Sequence, residues 1–269
     1  MPRANRYILS GQTYHVTHRC HDRSFLFRFA KDRDLYRSMI RKAVARFPIT
    51  VLGYCLTSNH THLLLKIREG GAETLGRFMQ SLEGDFAQAY NLRRERSGAF
   101  WSDRYHAVMI DEGDYLWRCL RYIDLNMVRA GVVTSPADWT WCGYQEIVGL
   151  RQRYRIVDRE ELAEALAPGH PFEEVAPRYA AYVEAGLGGQ KNVREAAWTE
   201  SVAVGSEAFV RSVGAKIDGR MQMQVETTEK NLWVVKEERG ADGLFSAPKN
   251  SSKVSKSPIS SSQLVEALE

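Results

Sequence analysis

His60 and His62 stand two residues apart in the run Asn59-His60-Thr61-His62-Leu63-Leu64-Leu65. Side chains of an extended segment alternate between faces, so both imidazoles share a face with Leu64 while Thr61 and Leu63 point the other way. Two imidazoles on one face can hold a metal ion. Far downstream, Tyr122 and Asn126 stand four apart in Arg121-Tyr122-Ile123-Asp124-Leu125-Asn126. On a helix that spacing presents a phenol and a carboxamide on one face, a turn apart. Tyr122 also fits a core aromatic, because Leu116, Leu120, Ile123 and Met127 run through the same segment. Asn126 fits that reading poorly, since a buried mid-helix amide without partners costs about 1–3 kcal/mol.

The elements that must position these groups follow from periodicity. Gln12 to Cys20 alternates and is β-rich, placing Tyr14, Val16 and His18 on one face and Thr13, His15 and Thr17 on the other. Residues 32–46 set Leu35, Met39, Ile40, Val44 and Phe47 at helical spacing. Ile49 to Leu56 and His62 to Ile67, separated by Thr57-Ser58-Asn59, predict an antiparallel hairpin with the histidines at the start of its second strand. Residues 72–95 give a second amphipathic helix, Tyr105 to Ile110 a fourth strand, and 112–129 a third helix ending before Gly131. The order β-α-β-β-α-β-α defines an α+β fold; apart from its last helix it is that of a ferredoxin-like core, an antiparallel sheet with helices on one face. Beyond Gly149 short helices at 158–166, 172–185 and 206–217 predict a mainly helical C-terminal region, with Gly186 to Asn192 as a connector. The expected division is a domain over 1–149, a helical region over 150–245, and a Ser- and Lys-rich disordered tail over 246–269.

The 269 residues are 44% apolar and 26% charged with a net charge of +4, which suits a globular chain and permits a nucleic-acid partner without demanding one. Arginines crowd the first half, among them Arg41, Arg46, Arg93, Arg94, Arg96, Arg104, Arg118, Arg121 and Arg129. Such planar forks suit phosphate, although a solvated helix face accounts equally well for any one cluster. Cys20, Cys55, Cys119 and Cys142 lie far apart and form no CxxC pair, so neither a disulfide scaffold nor a zinc knuckle is indicated. No apolar run approaches the roughly 18–20 residues of a membrane span and no signal peptide opens the chain, so a cytoplasmic protein is expected. Trp101, Trp117, Trp139 and Trp141 suit either base stacking or the core, with core expected for at least three. His15, His18 and His21 are expected to be structural or DNA-facing rather than metal ligands.

The segments YHVTHR, SNHTHLLL, SGAFWSDRYHAVMID, RYIDLNMVRAGVV and PADWTWCGY follow one another over about residues 7–148. In order and spacing this set resembles the REP-associated tyrosine transposases, within the single-tyrosine HUH transposase superfamily, whose domain is IS200-like. The resemblance implies a metal-dependent endonuclease and strand transferase acting on single-stranded or hairpin DNA at palindromic repeats, as monomer or homodimer, nucleoid-associated in a prokaryote. It implies Tyr122 as nucleophile, forming a 5′-phosphotyrosine, and His60, His62 and Asn126 as ligands of Mg²⁺ or Mn²⁺; the residues alone would accept zinc as well. Arg93, Arg94, Arg104, Arg118 and Arg121 are the expected phosphate contacts, while Arg129 would equally cap the third helix. Thr61, Met127 and Cys142 depart from the family pattern, which commonly has a hydrophobic residue, proline and serine there; Met127 is expected to let the helix continue. A domesticated DNA-binding protein that does not cut, and a phosphodiesterase using activated water, are the rival readings.

Overall fold

The computed structural model describes residues 7–187, 194–217, 223–228 and 232–237. The expected tail over 246–269 lies outside them, as do residues 188–192 of the expected connector. Strands β1 (Thr13–Arg19), β2 (Ile49–Leu56), β3 (His60–Ile67) and β4 (His106–Ile110) and helices α1 (Ala30–Val44) and α2 (Gly71–Arg93) fall within a few residues of expectation. The four strands lie in the order β2-β3-β1-β4, all antiparallel, which is the ferredoxin-like arrangement. Thr57 forms the hairpin corner: its Oγ1 accepts from the His60 and Asn59 amides at 3.0 and 3.3 Å.

The helices do not share one face. Tyr36 of α1 donates to Glu83 of α2 at 2.7 Å, and Glu83 reaches His18 of β1 at 3.3 Å. The third helix is instead packed on the opposite side, where His15 meets it. Helices α1 and α2 thus share one face, as the ferredoxin-like order requires, and the third helix, additional to that order, covers the other. The reason is that β2 and β3 are buried on both sides, and a sheet with two apolar faces needs a layer on each. Helix α3 (Asp114–Asp124) seats Leu120 against Gly53, where β2 shifts register between Val51 and Gly53. A Cβ on Gly53 would lie 2.4 Å from Leu120 Cδ1, so the bare glycine lets the helix approach.

The expected single helix over 112–129 is interrupted. Leu125, with φ −79° and ψ 7°, separates α3 from α4 (Asn126–Arg129). Backbone bonding continues through the junction from Leu125 to Arg121 and from Arg129 to Leu125. The interruption therefore offsets the turn carrying Asn126 without breaking the rod.

After the short α5 (Tyr144–Ile147), the C-terminal region begins with α6 (Arg159–Leu166) and α7 (Phe172–Leu187). Asp158 caps α6 by accepting from the Glu161 amide at 3.0 Å. Helix α7 covers α3: the Tyr179 hydroxyl donates to the buried Asp124 at 2.6 Å, and Trp117 packs on Tyr179 and Tyr182. Then come α8 (Ala197–Glu200), β5 (Ala203–Gly205), α9 (Glu207–Ile217), β6 (Met223–Thr227) and β7 (Trp233–Glu237). Helices α6, α7 and α9 agree with expectation, whereas periodicity disclosed neither α8 nor the three strands. β5 adds to β4 in parallel and β7 and β6 follow, giving one seven-stranded sheet, β2-β3-β1-β4-β5-β7-β6. β5 has only three residues, too short for an alternating pattern to register. No described helix is long and apolar enough to cross a membrane.

Candidate active site

His60 and His62 project from the start of β3 toward α3, with ring centroids 4.7 Å apart. Tyr122 approaches from α3, 6.2 Å from His62 between centroids, and Asn126 follows from the offset turn of α4. The Asn126 amide nitrogen lies 2.8 Å from His62 Nε2. These four side chains, with Arg19, Arg129, Arg194 and Thr199, line one cleft of about 240 Å³. The four residues singled out from spacing thus converge, although β3 and α3 are far apart in the chain.

Both imidazoles are held from behind. His60 Nδ1 lies 2.7 Å from Asn59 Oδ1 and 2.8 Å from Thr57 Oγ1, both able to accept its proton. That leaves its Nε2 with a lone pair. His62 Nδ1 lies 2.8 Å from His15 Nε2, so its own Nε2 points at Asn126. Burial lowers the pKa of His15 and His60 from 6.5 to about 3, with the Trp198 carbonyl opposing it at His15 and Arg19 adding to it at His60. His62 is driven well below 6.5 chiefly by burial, then by His60. Neutral imidazoles with free lone pairs are the form that binds a cation.

Turned end for end, the Asn126 amide presents its oxygen where its nitrogen now meets His62. Two imidazole nitrogens and one amide oxygen fit a divalent ion whose shell is completed by phosphate oxygen and water. Among the described residues, no group of three or more His, Cys, Asp or Glu side chains is placed to hold a metal. The mixed donor set including Asn126 is therefore the candidate.

Tyr122 is buried against His15, His62 and Trp198. Burial pushes its phenol above the ordinary value, and Arg129 and then Arg194 pull it back. The Arg129 guanidinium lies 4.0 Å from the Tyr122 ring centroid.

A second cleft of about 390 Å³ continues from the first, sharing Arg19, His60, His62, Arg194 and Thr199 and adding Arg23 and Arg104. Of the five arginines expected at phosphate, only Arg104 lines this groove. Arg93 and Arg94 both pair with Asp32, which is fully buried, at the far end of α2; Arg94 does so at 3.0 Å and also covers Phe29 at 4.2 Å. Arg121 lies over Tyr182 at 4.1 Å, and Arg118 is near enough to Tyr182 to pull its phenol down. The structure thus gathers Arg19, Arg23, Arg104, Arg129 and Arg194 at the groove and leaves Arg93, Arg94 and Arg121 in structural pairings. Trp139 and Trp141 are buried, Trp101 stacks on His18, and Trp117 packs under α7, so none of the four lines the groove.

His15, Arg19 and Arg194 were not legible as site residues. His15 sits on the β1 face that looks at α3, but only the pairing of β1 with β3, setting Thr17 opposite His62, carries it there. Arg194 enters from the C-terminal region, where no motif marks it.

Residues 9–126 match the family model described as "Transposase IS200 like". A curated protein of Haemophilus influenzae, provisionally named a REP-associated tyrosine transposase, is 25% identical over 122 residues, 42% of this chain and 69% of that protein. The solved structure of a REP-associated tyrosine transposase bound to a REP hairpin is 21% identical, with a TM-score of 0.49, covering 56% of this chain and 89% of that one. Residues 9–126, which hold all four of the convergent side chains, are thus the part of the chain that is similar to the IS200-like transposases.

Proposed function

We propose that the chain is a metal-dependent endonuclease and strand transferase for single-stranded or hairpin DNA, with Tyr122 as nucleophile. The observation that carries this reading is the convergence of the Tyr122 phenol, the Asn126 amide and two imidazole lone pairs on one cleft that opens into an arginine-lined groove. A binder that never cuts has no need of that convergence. The match of residues 9–126 to the IS200-like transposase model supports DNA strand transfer as the reaction class.

His60, His62 and Asn126 would hold Mg²⁺ or Mn²⁺. A divalent ion there would polarise the scissile phosphate and offset its developing charge. Arg19, Arg104 and Arg194 hold the flanking backbone. The Tyr122 oxygen attacks phosphorus as the bond to the 3′-oxygen breaks, and the proton lost by the phenol balances the one gained by that oxygen. The products are a 5′-phosphotyrosine and a free 3′-hydroxyl. Attack by a different 3′-hydroxyl reverses the step and joins strands.

A 5′- and 3′-labelled hairpin with flanking single strands, incubated with the protein and Mn²⁺, tests the assignment on a denaturing gel. A covalent protein–DNA adduct is expected with the wild type and none with Tyr122→Phe, while hairpin affinity stays close to wild type. Cleavage by Tyr122→Phe would show instead that water is the nucleophile.

A further inference from the structure

His15 belongs to neither the imidazole pair nor the nucleophile's helix, yet it touches both. It is fully buried, lies edge to edge with His62, centroids 5.0 Å apart and planes within 15°, and has the Tyr122 ring at a steep angle 6.0 Å away. Its two nitrogens have different partners. Nδ1 lies 2.7 Å from the carbonyl oxygen of Trp198, in α8, and Nε2 lies 2.8 Å from His62 Nδ1.

The direction of this chain is determined. A carbonyl only accepts, so His15 Nδ1 carries the proton. The charged groups facing His15 are Arg129 and, if protonated, His106, both of which oppose a second proton. Its Nε2 is then a bare lone pair and must accept. His62 Nδ1 must donate, and His62 Nε2 is left as a lone pair aimed at Asn126 and the cleft.

We propose that His15 is a positioning residue that fixes His62 in its Nδ1–H tautomer, with the Nε2 lone pair presented to the cleft. The inference rests on the metal reading above for its purpose, not for its geometry. It also gives α8 a role: Trp198 lies beyond the family-matched residues 9–126, so the C-terminal region anchors the outer end of the relay. A hydrogen-bonding partner behind a liganding imidazole typically contributes 10–100-fold in metal affinity.

The test has two arms on the full chain. Histidine ¹⁵N spectra of the metal-free wild type report which His62 nitrogen carries the proton; Nδ1 is expected, and a proton on Nε2 overturns the proposal without any variant having to fold. In the second arm Mn²⁺ affinity is measured by titration. His15→Phe removes the acceptor and should bind about 10–100-fold more weakly. His15→Gln keeps an acceptor oxygen toward His62 and should recover most of the loss. Equal affinity of His15→Phe and wild type overturns the proposal. A wild type that bound no Mn²⁺ would sink the metal reading instead, and the tautomer would still be decided by the spectra.

Discussion

Arg129 lies over the ring of Tyr122 and also donates to that residue's own carbonyl oxygen at 2.6 Å, so one side chain touches both the phenol and the backbone that carries it. A cation in that position favours the phenolate over the phenol. With Tyr122 as the proposed nucleophile, removing the cation should raise the pH at which cleavage sets in. Arg129→Gln is expected to move the rising limb of the pH–rate profile for cleavage upward, and Arg129→Lys to restore part of the shift. A profile displaced in neither variant would show that the contact serves packing alone.

The placement of the arginines predicts a separation of stability from binding. Arg93 and Arg94 flank a carboxylate with no exposure, so replacing both with alanine leaves Asp32 unpaired and should lower the melting temperature. Their partial exposure keeps the loss toward the low end of the ~3–5 kcal/mol found for fully buried pairs. Hairpin affinity of the folded fraction should be unchanged. Arg104→Ala should do the reverse, leaving the melting temperature alone, weakening DNA binding and reducing the salt slope of log K by about 1. Equal effects of the two changes on DNA binding would contradict the groove assignment.

Metal linkage gives a measurement that needs no DNA. An ion bound only by the folded state stabilises it by about 2.7 kcal/mol at one hundred times its dissociation constant. Millimolar Mn²⁺ is expected to raise the melting temperature of the wild type and not that of His62→Ala. Asn126→Ala should need more Mn²⁺ for the same rise. An unchanged wild-type curve over the whole titration counts against the ion.

Stability against pH has opposing contributions whose signs are determined. His15 and His60 fall from 6.5 to about 3 on folding, so their contribution is present above 6.5 and lost as pH falls toward 3. Asp124 rises from 3.8 to about 7, because burial outweighs the hydrogen bonds from Tyr179 and Cys142, so its contribution is present below 3.8 and lost as pH rises toward 7. Each group contributes a slope of at most about 1.4 kcal/mol per pH unit. Burial lowers His62 and His106 as well and raises Glu83, so four imidazoles oppose two carboxyl groups and the metal-free protein should become more stable from pH 4 to about 6.5. Asp124→Asn should gain on the wild type steadily between about pH 4 and 7, and no further above that, in denaturant titrations. A difference independent of pH would mean that Asp124 is already ionised when buried.

The sequence alone determined the alternation that turns His60 and His62 to one side and the helical spacing that pairs Tyr122 with Asn126, because both are local periodicities of the backbone. It also determined the ferredoxin-like order of the first four strands, whose runs are long enough to show their period. That the third helix covers the second face of the sheet followed from burial of β2 and β3 on both sides, which only the packed layers express. Tertiary structure alone decided that His15 stands behind His62, that Arg129 lies on Tyr122, and that Arg93 and Arg94 serve a buried carboxylate while Arg19 and Arg194 face the groove. Each depends on strand register, on the offset at Leu125, or on a C-terminal region that joins the same sheet edge through β5. Such contacts join residues up to 183 positions apart, as with His15 and Trp198, and no local pattern encodes a partner at that distance.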